Sequence, residues 1–140
     1  MKKTLRVMAA VLAGAATWAV LWNLGTRIAQ AALPGLLQPE EPITHAGVLL
    51  AYVGYSVCLS LLAGFITART AGRQPMPAVW ALATLQLALG LYFEISYWSM
   101  LPVWYHLVFL ALIVPATVFG GSRRPLDRPA GGLHARQGAV

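Results

Sequence analysis

Residues 46–68 read AGVLLAYVGYSVCLSLLAGFITA and contain no charged side chain. An α-helix over this run is about 34 Å long at about 1.5 Å per residue, which covers the roughly 30 Å hydrocarbon core of a bilayer. The one cysteine of the chain, Cys58, lies in the middle of the run, so an intramolecular disulfide is excluded. The run therefore predicts a transmembrane helix.

Three further runs without charge occupy residues 7–26, 74–93 and 107–122. The last run is short, but it reaches a full span when it starts at residue 101 and includes His106. The sequence thus predicts an all-α integral membrane protein whose four transmembrane helices pack as two hairpins. The predicted helices lie near residues 5–28, 46–68, 77–98 and 101–120, in one domain over residues 1–122.

The composition excludes a soluble globular domain. Charged residues make up 10% of the chain and hydrophobic residues 59%, whereas soluble domains average about 25% charged residues. The formal net charge is +6, but the basic residues have no interleaved aromatics and form no recognisable nucleic-acid-binding module. We therefore expect the partner to be the lipid bilayer with its anionic headgroups, and not nucleic acid.

The basic residues are distributed unevenly between the two ends of the predicted bundle. Of the ten Lys and Arg residues, all but Arg27 lie at the chain start, in the link between the second and third helices, or after the fourth helix. Loops rich in Lys and Arg stay in the cytoplasm, which predicts a multi-pass membrane protein with both termini cytoplasmic. Residues 123–140 combine Gly, Pro and Arg with few large apolar side chains, which predicts a disordered basic cytoplasmic tail.

The first apolar run has a second interpretation. Lys2 and Lys3, the apolar stretch and then Ala29-Gln30-Ala31 are also the pattern of a secretory signal peptide with an Ala-x-Ala cleavage site. The run is longer than the roughly 7–15 apolar residues of a signal peptide, and Trp18 and Trp22 are bulky near its end. These features favour an uncleaved transmembrane helix, and both interpretations place the following loop outside.

Small residues recur at four-residue spacing in two predicted helices: Ala9, Ala13 and Thr17 in the first, and Ser60, Gly64 and Ala68 in the second. Such faces let helix backbones approach closely, which is how helices associate in lipid. The faces serve either packing within the chain or association with a second copy or another membrane protein. The sequence leaves both alternatives open.

Aromatic residues gather where the predicted helices leave the membrane. Trp and Tyr prefer the headgroup level at both interfaces, and we interpret the aromatics at these positions as interface anchors. They are Trp22, Tyr97, Trp98, Trp104 and Tyr105 near the outer level and Trp80 near the inner level.

Four ionisable residues fall near the outer ends of the predicted helices. Glu94 follows a long uncharged stretch, and His106 lies about as far after the turn near residues 99–101 as Glu94 lies before it. An ionisable residue at membrane depth usually faces a partner or a wet cavity, so we predict a hydrogen bond between Glu94 and His106. Arg27 and His45 lie at a similar level, so the four residues are candidates for one functional polar layer.

This layer has three interpretations. It stabilises the hairpins through internal contacts; it carries protons, with Glu94 as the titrating group; or His45, His106 and Glu94 bind a metal as a two-His, one-carboxylate set. The set lacks a metal-motif spacing such as HExxH, so we expect neither a metal nor another cofactor.

Motifs of catalysis are missing from the sequence, since no serine lies in a GxSxG elbow or a comparable arrangement. We therefore expect no enzymatic activity. The sequence favours a non-enzymatic accessory or structural subunit that acts through helix contacts with itself or another membrane protein. The alternative is a small homo-oligomeric proton-coupled transporter that uses Glu94.

Residues 63–75, AGFITARTAGRQP, contain a helix end with a small-residue pair and an aromatic, an Ala-Arg turn and an Arg-x-Pro entry to the next helix. Residues 101–106, LPVWYH, are followed by Pro115 and by GGSR at residues 120–123. In these stretches the chain resembles a group of small uncharacterised bacterial four-helix integral membrane proteins, which have Gly-Gly where this chain has Ala63-Gly64. The resemblance implies the four-helix architecture and a bacterial source, and hence a place in the bacterial inner membrane. It assigns no catalytic residue.

Overall fold

The computed structural model describes residues 2–38 and 40–123. Within these residues the chain is all-helical and contains no β-strand, which confirms the predicted fold class of four helices. The helices are α1 (Lys2–Ala32), α2 (Ala46–Ala71), α3 (Met76–Ser96) and α4 (Val103–Ser122). Of the predicted basic tail, all residues after Arg123 lie outside the described part of the chain.

Prolines mark several of the helix ends. The chain leaves the helical conformation just before Pro34. Pro77 stands at the start of α3, where a missing backbone N–H removes no intrahelical bond. Pro102 precedes α4 with an extended backbone, while Pro115 lies inside α4 and is exposed. The interior proline therefore lies on the outer face of α4, away from the core.

The central helix of the bundle is α2. It packs most extensively against α4 and next against α1, while α3 packs mainly on α4 and also touches α1 and α2. The backbones of α1 and α4 stay apart, and the Trp22 and Phe109 rings meet between them with centroids 5.8 Å apart. The main buried core consists of Trp18, Leu49, Val53, Leu59, Ala63, Leu82, Tyr105, Phe109 and Ile113.

Glycines bring α2 and α4 into backbone contact. A Cβ atom on Gly64 would fall on the Thr117 carbonyl oxygen, and one on Gly120 would fall on the Leu61 carbonyl oxygen. Close approach of this kind is what small residues permit between membrane helices. The predicted small-residue face of α2 is buried inside the chain, at Ser60, Gly64 and Ala68. Those residues are therefore used for internal packing and not for a second copy.

The predicted packing face of α1 is wrong by one residue. Ala10, Gly14 and Trp18 are buried, whereas Ala9 is exposed and Ala13 is only half-buried. The two series have the same four-residue spacing, so spacing alone does not choose between neighbouring faces of a helix. A search restricted to small side chains also misses Trp18, whose large ring belongs to the core.

Hydrogen bonds show which connections share an end of the bundle. The Ile43 amide donates to the Met100 carbonyl at 3.0 Å and joins the α1–α2 loop to the α3–α4 turn; we call this the loop end. At the opposite end, Arg6 Nε donates to the Thr70 carbonyl at 3.1 Å; we call this the basic end. The described cations of the basic end are Lys2, Lys3, Arg6, Arg69, Arg73 and Arg123, whereas Arg27 belongs to the loop end.

Within the described residues, four helices are long and apolar enough to cross a membrane. The longest is α1, whose 31 residues correspond to about 46 Å. It is also the least buried of the four, and its exposed face carries large apolar side chains such as Leu12 and Val20, each 64% exposed. A soluble domain rarely leaves apolar surface of this extent uncovered.

Candidate functional site

The predicted contact between Glu94 and His106 is present. Glu94 lies in the last turn of α3 and His106 in the first turn of α4, so the short connection between the helices brings the two side chains face to face. Glu94 Oε2 and His106 Nδ1 form a hydrogen-bonded pair. His106 is fully buried and Glu94 is 5% exposed. This is the one ion pair found among the described residues.

The second ring nitrogen of His106 faces two backbone acceptors. Nε2 lies 3.3 Å from the Trp98 carbonyl oxygen and 3.2 Å from the Leu101 carbonyl oxygen. Carbonyl oxygens only accept hydrogen bonds, so Nε2 carries a hydrogen. The Trp98 ring also stacks on the imidazole, with centroids 4.5 Å apart and an interplanar angle of 8°. Backbone and ring together fix the orientation of His106.

With Nε2 protonated, the contact between Nδ1 and Glu94 holds one hydrogen. Either a neutral His106 accepts it from a protonated Glu94, or a charged His106 donates it to a carboxylate. The pair is electrically neutral as a whole in both arrangements. Neutrality matters here because an isolated buried charge is far more costly than a paired one.

The other two residues of the predicted layer do not join this pair. Arg27 is exposed on α1. His45 is exposed before the first turn of α2 and lines a separate, almost wholly apolar cavity of about 350 Å³ between α1 and α2. No set of three metal-ligating side chains occurs in residues 2–38 and 40–123, so the two-His, one-carboxylate alternative lacks its third ligand. A functional role for Glu94 and His106 stays a prediction.

Glu94 lines a cleft of about 360 Å³ between α1 and the α3–α4 pair, which we call the loop-end cleft. It lies where the backbones of α1 and α4 do not meet, while α1 packs closely on the other helices through Ala10 and Gly14 nearer the basic end. Its lining residues are Trp18, Ala19, Trp22, Asn23, Thr26, Leu89, Gly90, Phe93, Glu94, Tyr97, Leu101, Tyr105 and Phe109.

Stacked aromatic rings form one wall of the loop-end cleft. Trp18 and Trp22 are parallel with centroids 5.7 Å apart, and Tyr105 and Phe109 stack at 5.9 Å. Trp18 is 5% exposed, and its indole Nε1 has no hydrogen-bond partner among the described residues. The cleft thus offers a largely aromatic and aliphatic surface, with the carboxyl of Glu94 and the polar groups of Asn23, Thr26, Tyr97 and Tyr105 among its lining residues.

Two residues predicted as interface anchors are instead internal. Tyr105 is 4% exposed and Trp22 is partly buried against the core, whereas Tyr97, Trp98 and Trp104 are 40–52% exposed and fit the anchor interpretation. The sequence held a signal for this difference: Trp22 lies four residues after Trp18, and Tyr105 four residues before Phe109. Residues at that spacing are neighbours on one helix face, which marks a shared aromatic surface.

A second polar contact lies deeper in the bundle. The Thr117 hydroxyl donates to Gln86 Oε1 at 2.6 Å, and the Thr67 hydroxyl of α2 donates to the Ala10 carbonyl of α1 at 3.2 Å. All three side chains are almost completely buried. These bonds link α3 to α4 and α2 to α1.

Comparison with known proteins gives no match: no family model, no curated protein and no solved structure is similar to this chain.

Proposed function

We propose that the chain is a multi-pass protein of the bacterial inner membrane, with α1–α2 and α3–α4 as two hairpins and both termini in the cytoplasm. The support is the separation of charge: the basic end carries the described Lys and Arg residues except Arg27, and the loop end carries Glu40 and Glu41. Basic connections are the ones retained in the cytoplasm.

Cysteine labelling tests this placement in a Cys58→Ser background. Thr44 at the loop end and Thr70 at the basic end are both exposed, so each accepts a cysteine without loss of a buried contact. A membrane-impermeant maleimide should label Thr44→Cys in intact spheroplasts and Thr70→Cys only after the membrane is opened. The opposite pattern would invert the orientation, and labelling of both in intact spheroplasts would refute the spans.

We propose that the protein acts without catalysis, as an accessory subunit that receives a helix of another membrane protein in the loop-end cleft. The loop-end cleft carries this proposal, because it is an apolar aromatic groove at the side of the bundle, bordered by the least buried helix. A partner helix with a hydroxyl or amide group would fill the groove and form a hydrogen bond with the Glu94 carboxyl, which lines it. Polar groups of this kind hold membrane helices together.

Gentle extraction of the tagged protein, with mass spectrometry of the intact complexes, tests the accessory role. Ala19 is exposed and lines the loop-end cleft, so Ala19→Trp should fill the groove and release the partner. Val20 is 64% exposed and does not line the cleft, so Val20→Trp adds the same ring at the same depth and should leave the complex intact. A homo-oligomer without any foreign subunit would contradict the accessory role.

The second candidate function is proton-coupled transport by a homo-oligomer. The observation that favours it is the position of Glu94, which shares one proton with His106 and also lines a cleft. Glu94→Gln keeps the shape of the side chain but removes the exchangeable acid. In proteoliposomes with a pH gradient, wild-type protein should dissipate the gradient and Glu94→Gln should not. Equal proton flux in the two proteins would eliminate this candidate.

A further inference from the structure

The basic end of the bundle contains a cavity of about 670 Å³, formed by the start of α1 and the link between α2 and α3. We call it the basic cavity. Four of its lining residues are cations, and the complete lining is Lys2, Lys3, Arg6, Val7, Ala71, Arg73 and Gln74. The cavity is therefore a concave surface of one charge sign, which concentrates an anion more strongly than a flat surface does.

The chain holds two of these cations in place. Arg6 Nε donates to the Thr70 carbonyl at 3.1 Å, and Lys3 Nζ donates to Gln74 Oε1 at 3.1 Å. The link backbone is shaped around Arg6, since a Cβ atom on Gly72 would stand 2.7 Å from the Arg6 guanidinium carbon. Gly72 has φ 86°, a conformation that glycine adopts without strain. Arg6 therefore points into the cavity region as a preorganised group.

No carboxylate neutralises this cavity among the described residues. Glu40 and Glu41 lie in the α1–α2 loop at the other end of the bundle, and Glu94 is paired with His106. The basic cavity therefore combines four positive charges with no described counter-charge. An anion that enters it gains charge-assisted hydrogen bonds from lysine and arginine donors and relieves the repulsion between them.

We propose that the basic cavity binds the headgroup of an anionic lipid with two phosphodiesters, of the cardiolipin class, from the cytoplasmic leaflet. Basic pockets between transmembrane helices on that side suit such headgroups, and four cations match two phosphates better than one. Val7 and Ala71 add an apolar part to the lining, which suits the glycerol carbons. The inference rests on the proposed placement in the membrane, and it is independent of the accessory role.

Native mass spectrometry of the purified full chain, titrated with cardiolipin in detergent, measures this binding. Arg73→Gln removes a cavity cation that makes no described hydrogen bond within the chain, so the fold should be unaffected. We expect cardiolipin affinity to fall about fivefold for Arg73→Gln and about twenty-five-fold for Lys2→Gln combined with Arg73→Gln. Arg69→Gln is the matched control, because Arg69 is exposed at the same end and does not line the cavity; its effect should stay below about twofold.

Three results would overturn the proposal. An equal loss in Arg69→Gln would mean a general attraction of lipid to the basic end. An affinity for phosphatidylglycerol equal to that for cardiolipin would show that one phosphate is enough. If water-soluble glycerophosphate displaced bound lipid as effectively as added cardiolipin does, the cavity would be a site for free phosphate. Cysteine labelling at Thr44 and Thr70 tests the membrane placement independently. If the labelling shows the proposed orientation but cardiolipin does not bind, only the lipid-site inference is overturned.

Discussion

Replacing His106 by Phe tests whether Glu94 and His106 stabilise the bundle as one unit. Phenylalanine keeps a ring to stack on Trp98 but removes Nδ1, so the Glu94 carboxyl stays buried without its partner. Breaking a buried pair in this way costs about 3–5 kcal/mol. A protonated Glu94 escapes the charge penalty but still lacks a hydrogen bond, at about 1–3 kcal/mol. We therefore expect a loss of about 3 kcal/mol in the free energy of unfolding.

Variants at Glu94 complete the test. The amide nitrogen of Glu94→Gln donates to His106 Nδ1, so this change should cost about 1 kcal/mol or less. Glu94→Leu leaves Nδ1 unpaired, at about 1–3 kcal/mol. Combined with His106→Phe, however, Glu94→Leu replaces both partners by apolar groups. The double variant should therefore be no less stable than His106→Phe alone, with a coupling energy of about 2 kcal/mol.

The assay is unfolding by sodium dodecyl sulfate in mixed micelles, followed by circular dichroism of the helices. The wild type and the four variants are measured at the same pH, because the pair holds one titratable proton. Strictly additive losses for the two single changes would refute the reasoning. A Glu94→Gln variant as unstable as His106→Phe would also refute it, since the amide keeps the hydrogen bond to Nδ1.

Three further substitutions have expected outcomes in the same assay. Gly64→Ala should lower the free energy of unfolding by about 1–3 kcal/mol, because the new Cβ meets backbone that does not move aside. In the control Gly54→Ala the new Cβ faces open space, so this change should raise stability by up to about 1 kcal/mol. Equal effects of the two changes would contradict the α2–α4 contact. Tyr55→Phe loses the hydrogen bond to the Leu21 carbonyl, which measures 2.5 Å, and should cost about 1 kcal/mol, so an unchanged midpoint would speak against that bond. Thr67→Val keeps the volume but loses a buried hydroxyl donor and should cost about 1 kcal/mol; wild-type stability would show that water or another group replaces the bond.

The helical class was predictable because it depends on lengths and charges along the chain. A run of about twenty uncharged residues predicts a membrane-spanning helix without any knowledge of the helices that pack against it. The Glu94–His106 contact was predictable for a related reason: the two residues are separated by 12 positions across one short turn, so equal distances from the turn place them at one level. Both inferences need only one-dimensional information.

The rest of the site depends on helix rotation and divergence, which one-dimensional patterns do not fix. Arg27 on α1 and His45 just before α2 both lie at the loop end, but they are exposed and do not join the buried Glu94–His106 pair. The loop-end cleft lies where the backbones of α1 and α4 do not meet, and no residue in the sequence signals that these two helices stay apart. For the same reason, the sequence predicts Ala9 on the packing face of α1, whereas the structure buries Ala10.

If the chain spans the bilayer as we propose, the position of the partner of Glu94 also affects how the chain is inserted. A charged side chain opposes insertion of a helix, by about 2.5–3.5 kcal/mol for Asp, Lys or Arg at the helix centre on translocon scales, and Glu94 opposes it from the last turn of α3. The group that forms a neutral pair with Glu94 is His106, which is synthesised later and belongs to the next helix. For the proposed spans we therefore expect α3 to stay at the translocon until α4 emerges, so that the two helices enter the lipid together. Helix α2 has no charged side chain between residues 46 and 68, so we expect it to enter on its own.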